Sequence, residues 1–193
     1  MANKDIIDEV FMKQVGLHVL FVIKRRTLDG KFLPGSSPGA GEYSTKPFAM
    51  PSGAISKQLE GKIKKAGKDS PGDFQMFTSK AGTSWVVVKK GYKRIRELGG
   101  RPSDKVTMIW SGRYMKDLSV LSRERSAVEI GWKSDENKKL AEFHESMGAG
   151  KSRRLHKILG LTKEEIAEVE RIFGEKIALK MQSAVDLELG NVK

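Results

Sequence analysis

The segment 140–165, LAEFHESMGAGKSRRLHKILGLTKEE, constrains the fold more than any other part of the chain. It joins one helical pattern to a second through a Gly-rich basic turn and the short apolar block Ile158-Leu159-Gly160-Leu161. Thr162-Lys163-Glu164-Glu165 has the form of a capping box. The Thr hydroxyl accepts from the N–H of Glu165, and the Glu165 carboxylate reaches back to the N–H of Thr162. Carboxylates at 164 and 165 also suit the positive end of a helix dipole. Ile166, Val169, Phe173 and Ile177 follow at steps of three and four, so the spacing predicts a helix that buries this stripe, with Leu161 stapled against Ile166.

The turn itself ends like a phosphate-binding loop, in Gly150-Lys151-Ser152. Such a loop needs a further Gly where Glu145 stands, and a buried strand before it. Residues 137–147 are helical in pattern instead, so Gly148 and Gly150 read as a helix stop and the basic residues as an exposed loop.

The 193 residues, 38% hydrophobic, suffice for one domain with an ordinary core. Without cysteine there are no disulfides, thiolate zinc sites or cysteine nucleophiles. No apolar run approaches the roughly 20 residues that span a bilayer, and Asp5, Asp8 and Glu9 argue against a secretory signal, so a soluble protein with no membrane contact is expected. The net charge is +12. From Lys163 to Lys193 five basic and seven acidic residues give −2, which leaves +14 on the remainder. A basic body with an acidic last helix suits contact with nucleic acid or charge-complementary self-association.

In chain order, residues 4–26 read as a long helix with Ile6, Ile7, Val10, Phe11, Leu17, Leu20 and Phe21 at helical steps, Gly16 as a weak point and His18 on its surface. Residues 31–53 are rich in Gly, Pro and Ser and read as an extended loop, either solvated or used for assembly, with Phe32, Tyr43, Phe48 and Met50 as candidate inter-subunit anchors. Residues 54–100 read as an inserted basic module. Its first part is a helix with Ile55, Leu59 and Ile63 at steps of four. A β-hairpin follows, with Phe74, Met76 and Thr78 alternating, a turn at Lys80-Ala81-Gly82, and Trp85, Val87 and Lys89 alternating back. A helix over 83–98 is the alternative, but the run Val86-Val87-Val88 favours a strand. A short basic helix over 91–98 ends at Gly99-Gly100.

Residues 105–189 read as a core sheet with C-terminal helices. Leu118–Leu121 and Ala127–Trp132 are its strands, and the helix opening at Asp135 bears Leu140, Phe143 and Met147 at steps of three and four. The densest positive charge, Lys89, Lys90, Lys93, Arg94, Arg96 and Arg101, together with Lys151, Arg153 and Arg154, supplies candidate contacts to a DNA channel or a partner. No zinc spacing, nucleophile elbow, dinucleotide fingerprint or acid/base pair is present, so no catalytic, cofactor or metal site is expected.

A set of motifs in order resembles a known family. It comprises Ser111-Gly112-Arg113-Tyr114-Met115, Leu118, the Val-Glu-Ile-Gly strand 128–131, and Ala141-Glu142-Phe143-His144-Glu145 with Gly148. Arg153-Arg154 and Leu159-Gly160-Leu161-Thr162-Lys163-Glu164-Glu165-Ile166 follow, and Arg26–Pro34 precedes them all. These resemble the tailed-phage virion morphogenesis family, the Mu-type tail-completion and head–tail joining proteins, over most of 1–34 and 105–175. The chain departs from that pattern in having no Pro in Leu155-His156-Lys157-Ile158 and in an enlarged region 35–100. The resemblance implies an α+β fold with a small antiparallel β-sheet packed by long N- and C-terminal helices. It also implies a non-enzymatic virion protein, a ring subunit of the neck or tail end around the DNA channel. Its partners would be further copies of itself and neck, portal-side or tail proteins, with non-specific contact to packaged DNA. The competing reading is a free basic nucleic-acid-binding protein using 89–105 and 151–157 on phosphates, with Tyr92 or Trp85 stacking.

Overall fold

The computed structural model describes residues 7–69, 72–108, 112–124, 127–148 and 153–190, the last seven as backbone only. The fold is α+β with two antiparallel sheets, each tied to its own hydrophobic core.

The main body is built on helix α1 (Glu9–Leu28), the short helix α4 (Arg113–Asp117), strands β4 (Leu118–Arg123) and β5 (Val128–Trp132), and helix α5 (Asp135–Ser146). Asp8 caps α1 by accepting from the Phe11 N–H at 2.6 Å, so the helix starts later than the apolar spacing suggests. Gly16, a weak point on helix propensity, is buried where the hairpin crosses α1. A Cβ there would stand 2.5 Å from Val128 Cγ1, so only glycine permits the approach. The core gathers Ile23, Tyr114, Met115, Leu118, Trp132, Ala141 and Ile158. Tyr114 stacks on Trp132 at 5.0 Å, and the indole N–H donates to the Tyr114 carbonyl. Asp117 organises the start of α5 by accepting from the N–H and hydroxyl of Ser134 and from Asn137 Nδ2. The Ser134 and Asn137 donors hold its carboxyl below the usual range.

Helix α6 (Lys163–Gly190) runs antiparallel along α1. Arg26 meets Glu165 at one end, Phe11 meets Phe173 edge-on at 5.5 Å, and Lys180 reaches Asp8 at the other. The capping box forms: the Thr162 N–H donates to Glu165 at 2.8 Å and the Glu165 N–H to the Thr162 hydroxyl at 3.2 Å. Arg26 is buried and clamps this junction, donating to the Glu165 carboxylate and to the carbonyls of Ile158 and Gly160.

The second unit is the module, with β1 (Phe48–Pro51), a single 3-10 turn, α2 (Lys57–Asp69), β2 (Phe74–Thr78), β3 (Ser84–Val88) and α3 (Gly91–Leu98). The hairpin over 74–88 forms as expected, and β1 adds a third strand in the order β1-β3-β2. The extended-loop reading of 31–53 is corrected at its end, where the 3-10 turn begins at Ser52, and at β1. Strand β1 pairs Phe48 with Val88 and Pro51 with Trp85, which the Gly/Pro content around it obscures. The buried alternation of β3 is Val86 and Val88, packed with Phe74, Leu59, Ile63, Ala66 and Ile95, while Trp85 and Val87 take the other face. Each of the fully buried Ile63, Val86 and Val88 contributes roughly 1.5–3 kcal/mol by leaving water.

Candidate assembly surface

The Gly/Pro-rich loop is fastened to its own chain. The Leu33 N–H donates to the Lys157 carbonyl at 3.0 Å and the Ser37 N–H to the Leu155 carbonyl at 3.1 Å. In return the N–H groups of Leu155 and Lys157 donate to the hydroxyls of Ser37 and Ser36, both at 2.9 Å. The segment 155–157 is thus a donor edge that a proline at 155 or 157 would interrupt. Arg154 donates to the carbonyls of Gly39 and Glu42 at 2.7 and 2.8 Å, so it straps the loop. His156 Nε2 meets the Ala40 carbonyl at 3.1 Å.

The four loop anchors point into this chain. Phe32 packs on the main core and edge-on to His156 at 4.9 Å, and Phe48 and Met50 pack on the module core. Tyr43 lies against Tyr92 at 5.7 Å and beneath the Arg96 guanidinium at 4.4 Å, and its hydroxyl accepts from the Thr107 N–H. These partly buried side chains hold the loop and the module together within the chain.

The basic residues divide in the same way. Arg96, 2% exposed, donates to the Pro102 carbonyl at 2.7 Å and is closed off from any external phosphate. Arg94 holds the buried Asp73 at 3.0 Å and Glu97 at 3.1 Å, and Lys90 holds Asp73 at 2.8 Å. Lys90 foremost keeps the Asp73 carboxyl below the usual range. Tyr92 is half-buried against Tyr43 and Phe48, and burial raises its hydroxyl pKa. Lys89, Arg101 and Arg153 are exposed and Lys93 is half-exposed. Lys151, with the rest of the phosphate-loop-like Gly150-Lys151-Ser152, lies outside the described residues.

Two apolar stripes of helical spacing face outward. On α1 the inward residues are Phe11, Gly16, Ile23, Arg26 and Thr27. Val10, Leu17, Phe21 and Leu28, exposed by 41–64%, form a line at steps of seven, four and seven. On α5 the inward residue is Ala141, while Leu140, Phe143 and Met147 are exposed by 40–60%. Of the described side chains of α6, 163–183, Phe173 alone is buried, and Ile166 of its expected buried stripe is exposed. Val10, Phe11, Gln14, Lys176, Leu179 and Lys180 line a groove at the α1–α6 seam. The signal available in the sequence is that α1 has apolar residues on more sides than one contact can cover, which is the pattern of a helix buried all round. In the single chain one of those sides is bare.

His144 turns inward against Tyr114 and His156, with ring centroids 6.1 and 5.7 Å apart. Burial holds the His144 imidazole down to about 4 and lowers His156 as well, and burial pushes the Tyr114 hydroxyl up. His18 lies half-buried in the α1–α6 seam, edge-on to Phe173 at 5.7 Å, rather than on the helix surface. Among the described residues no cluster of three or more His, Asp and Glu could hold a metal ion, and no helix is long and apolar enough to cross a membrane.

Comparison with family models, curated proteins and solved structures gives no match for this chain.

Proposed function

We propose that this chain is a structural subunit of a tailed-phage virion, placed in the neck or at the tail-completion end and repeated head to tail in a ring around the DNA channel. The observation that carries this reading is the pair of unpartnered apolar stripes on different helices, Val10-Leu17-Phe21-Leu28 on α1 and Leu140-Phe143-Met147 on α5. A ring closed by rotation needs two different faces on each subunit, each complementary to the other, and contiguous exposed apolar surface marks such contacts. The acidic first part of α6 against a basic remainder adds a second complementarity. The inward placement of Tyr114, His144 and His156 fits a packing role, and on this reading the protein acts by assembly in the virion.

The test is electron microscopy of particles made without this protein. Separate DNA-filled heads and unattached or incomplete tails are expected, and particles with normal joined heads and tails would overturn the proposal. Phe21→Glu and Phe143→Glu, each on an exposed position, should fold and yet fail to restore joining.

A further inference from the structure

The module concentrates the charge of the chain. Residues 54–101 contain twelve Lys and Arg against four Asp and Glu, a net of +8 out of +12 for the whole chain. Much of that charge is engaged internally, as with Arg94, Arg96 and Lys90. Helix α2 is different. Leu59, Ile63 and Ala66 face the sheet. With a helical step of about 100° per residue, Lys57, Lys64 and Lys68 then fall on the opposite line with Lys65 beside them. All four are exposed. Lys64 pairs with Glu60 on its own helix, whereas Lys57, Lys65 and Lys68 make no ion pair among the described residues. Gly61 lies on the same side, and a Cβ there would meet nothing within 4 Å. The centre of the stripe is bare backbone with ammonium groups on either side, over a length of about 16 Å at about 1.5 Å per residue.

We propose that this lysine face of α2 binds the phosphate backbone of duplex DNA without regard to sequence, through Lys57, Lys64, Lys65 and Lys68. Lysine is a compact point charge without the planar fork that fits a single carboxylate. A row of such charges matches a duplex, which offers one negative charge per roughly 1.7 Å of its axis. The stripe has no Arg, Asn or aromatic side chain to read a base edge or stack on one. The gap at Gly61 lets the strand approach the helix closely. This binding belongs to the module and does not rest on the placement of the protein in a virion neck.

The experiment uses the full chain and a short fluorescent duplex of arbitrary sequence, with anisotropy measured across a salt series. The logarithm of affinity should fall linearly with the logarithm of salt concentration. Changing Lys57, Lys64, Lys65 and Lys68 together to Gln should flatten the slope by about 3.6, at about 0.9 for each phosphate no longer neutralised. Lys13, Lys31, Lys139 and Lys163 changed to Gln remove the same charge from exposed positions elsewhere and should leave the slope nearly unaltered. Arg at the four α2 positions should preserve it, which separates loss of charge from loss of fold. Three results would each overturn the proposal: no binding of duplex by the parent at low salt, equal slopes for the two Gln variants, or binding of polyglutamate as tight as duplex with the same lysine dependence. The last would assign the face to an acidic protein surface. Failure here leaves the particle-imaging experiment untouched, and a normal particle without the protein leaves this binding untouched.

Discussion

Replacing Arg26 with Met removes the cation that ties the end of α1 to the start of α6. The guanidinium serves three acceptors at once: the carbonyls of Ile158 and Gly160 and the carboxylate of Glu165. The Arg26 and Glu165 side chains are 6% and 18% exposed, so Met leaves Glu165 charged and mostly out of water. Removing one partner of a buried pair costs about 3–5 kcal/mol, and the residual exposure of Glu165 places this case near about 3. For a chain of this size each kcal/mol lowers the melting temperature by about 2–4 °C, so a fall of about 6–12 °C is expected. Arg26→Lys should recover less than half of it, because one ammonium lacks the fork that reaches all three acceptors. Hydrogen exchange locates the effect. Protection should fall around 19–28 and 155–177 and stay unchanged at Ile63, Val86 and Val88, which belong to the other core. A melting temperature within about 2 °C of the parent, or an equal fall in protection across the module, would refute the clamp.

Two further outcomes follow from the packing. His144 and His156 have folded pKa values below the ordinary imidazole value, so the unfolded chain binds more protons as pH falls below about 6.5. Stability should therefore be full above that pH and decline toward pH 4. His144→Gln with His156→Gln should flatten the decline in urea midpoint, and a parent midpoint that stays level from pH 7 to 4.5 would contradict the burial argument. Asp73 and Asp117, held below the usual carboxylate range, lose their contribution only at lower pH still. Gly91 has φ +72° and a Cβ there would come within 2.6 Å of Thr45 Cα, so Gly91→Ala should destabilise the module by about 2–5 kcal/mol through strain and crowding. A neutral effect on chemical denaturation would show that the 44–45 backbone does not pack there.

Much of the local architecture was legible because local backbone bonding writes it. The capping box at Thr162–Glu165, the hairpin over 74–88, the strand at 128–132 and the stop after Leu98 each depend on residues within a few positions of one another. The strand at 48–51 was not legible, because its pairing with β3 is made across more than thirty residues of chain. The use of Arg96 and Arg154 was equally hidden. A basic run has the same composition whether its guanidinium groups face water or cap carbonyls; the acceptor of Arg96 is Pro102, six residues on past the helix stop, and those of Arg154 are the distant Gly39 and Glu42.

By itself the sequence determined the kinds of element, their order and several of their ends, since propensity, capping and turn chemistry act over one or two turns of chain. On α2 the buried side was legible too, as the stripe of Leu59 and Ile63, but on α1 and α5 the tertiary structure alone decided which side is buried. On α5 the small Ala141 and the imidazole of His144 turn inward because the stacked Tyr114 and Trp132 occupy the space a Leu or Phe would need, and Leu140, Phe143 and Met147 are left outside. On α1 the close crossing of the hairpin at Gly16 selects the inner face and leaves Val10, Leu17 and Phe21 bare. Period marks an apolar stripe, but only the shape of what packs beside the helix chooses the stripe that is covered.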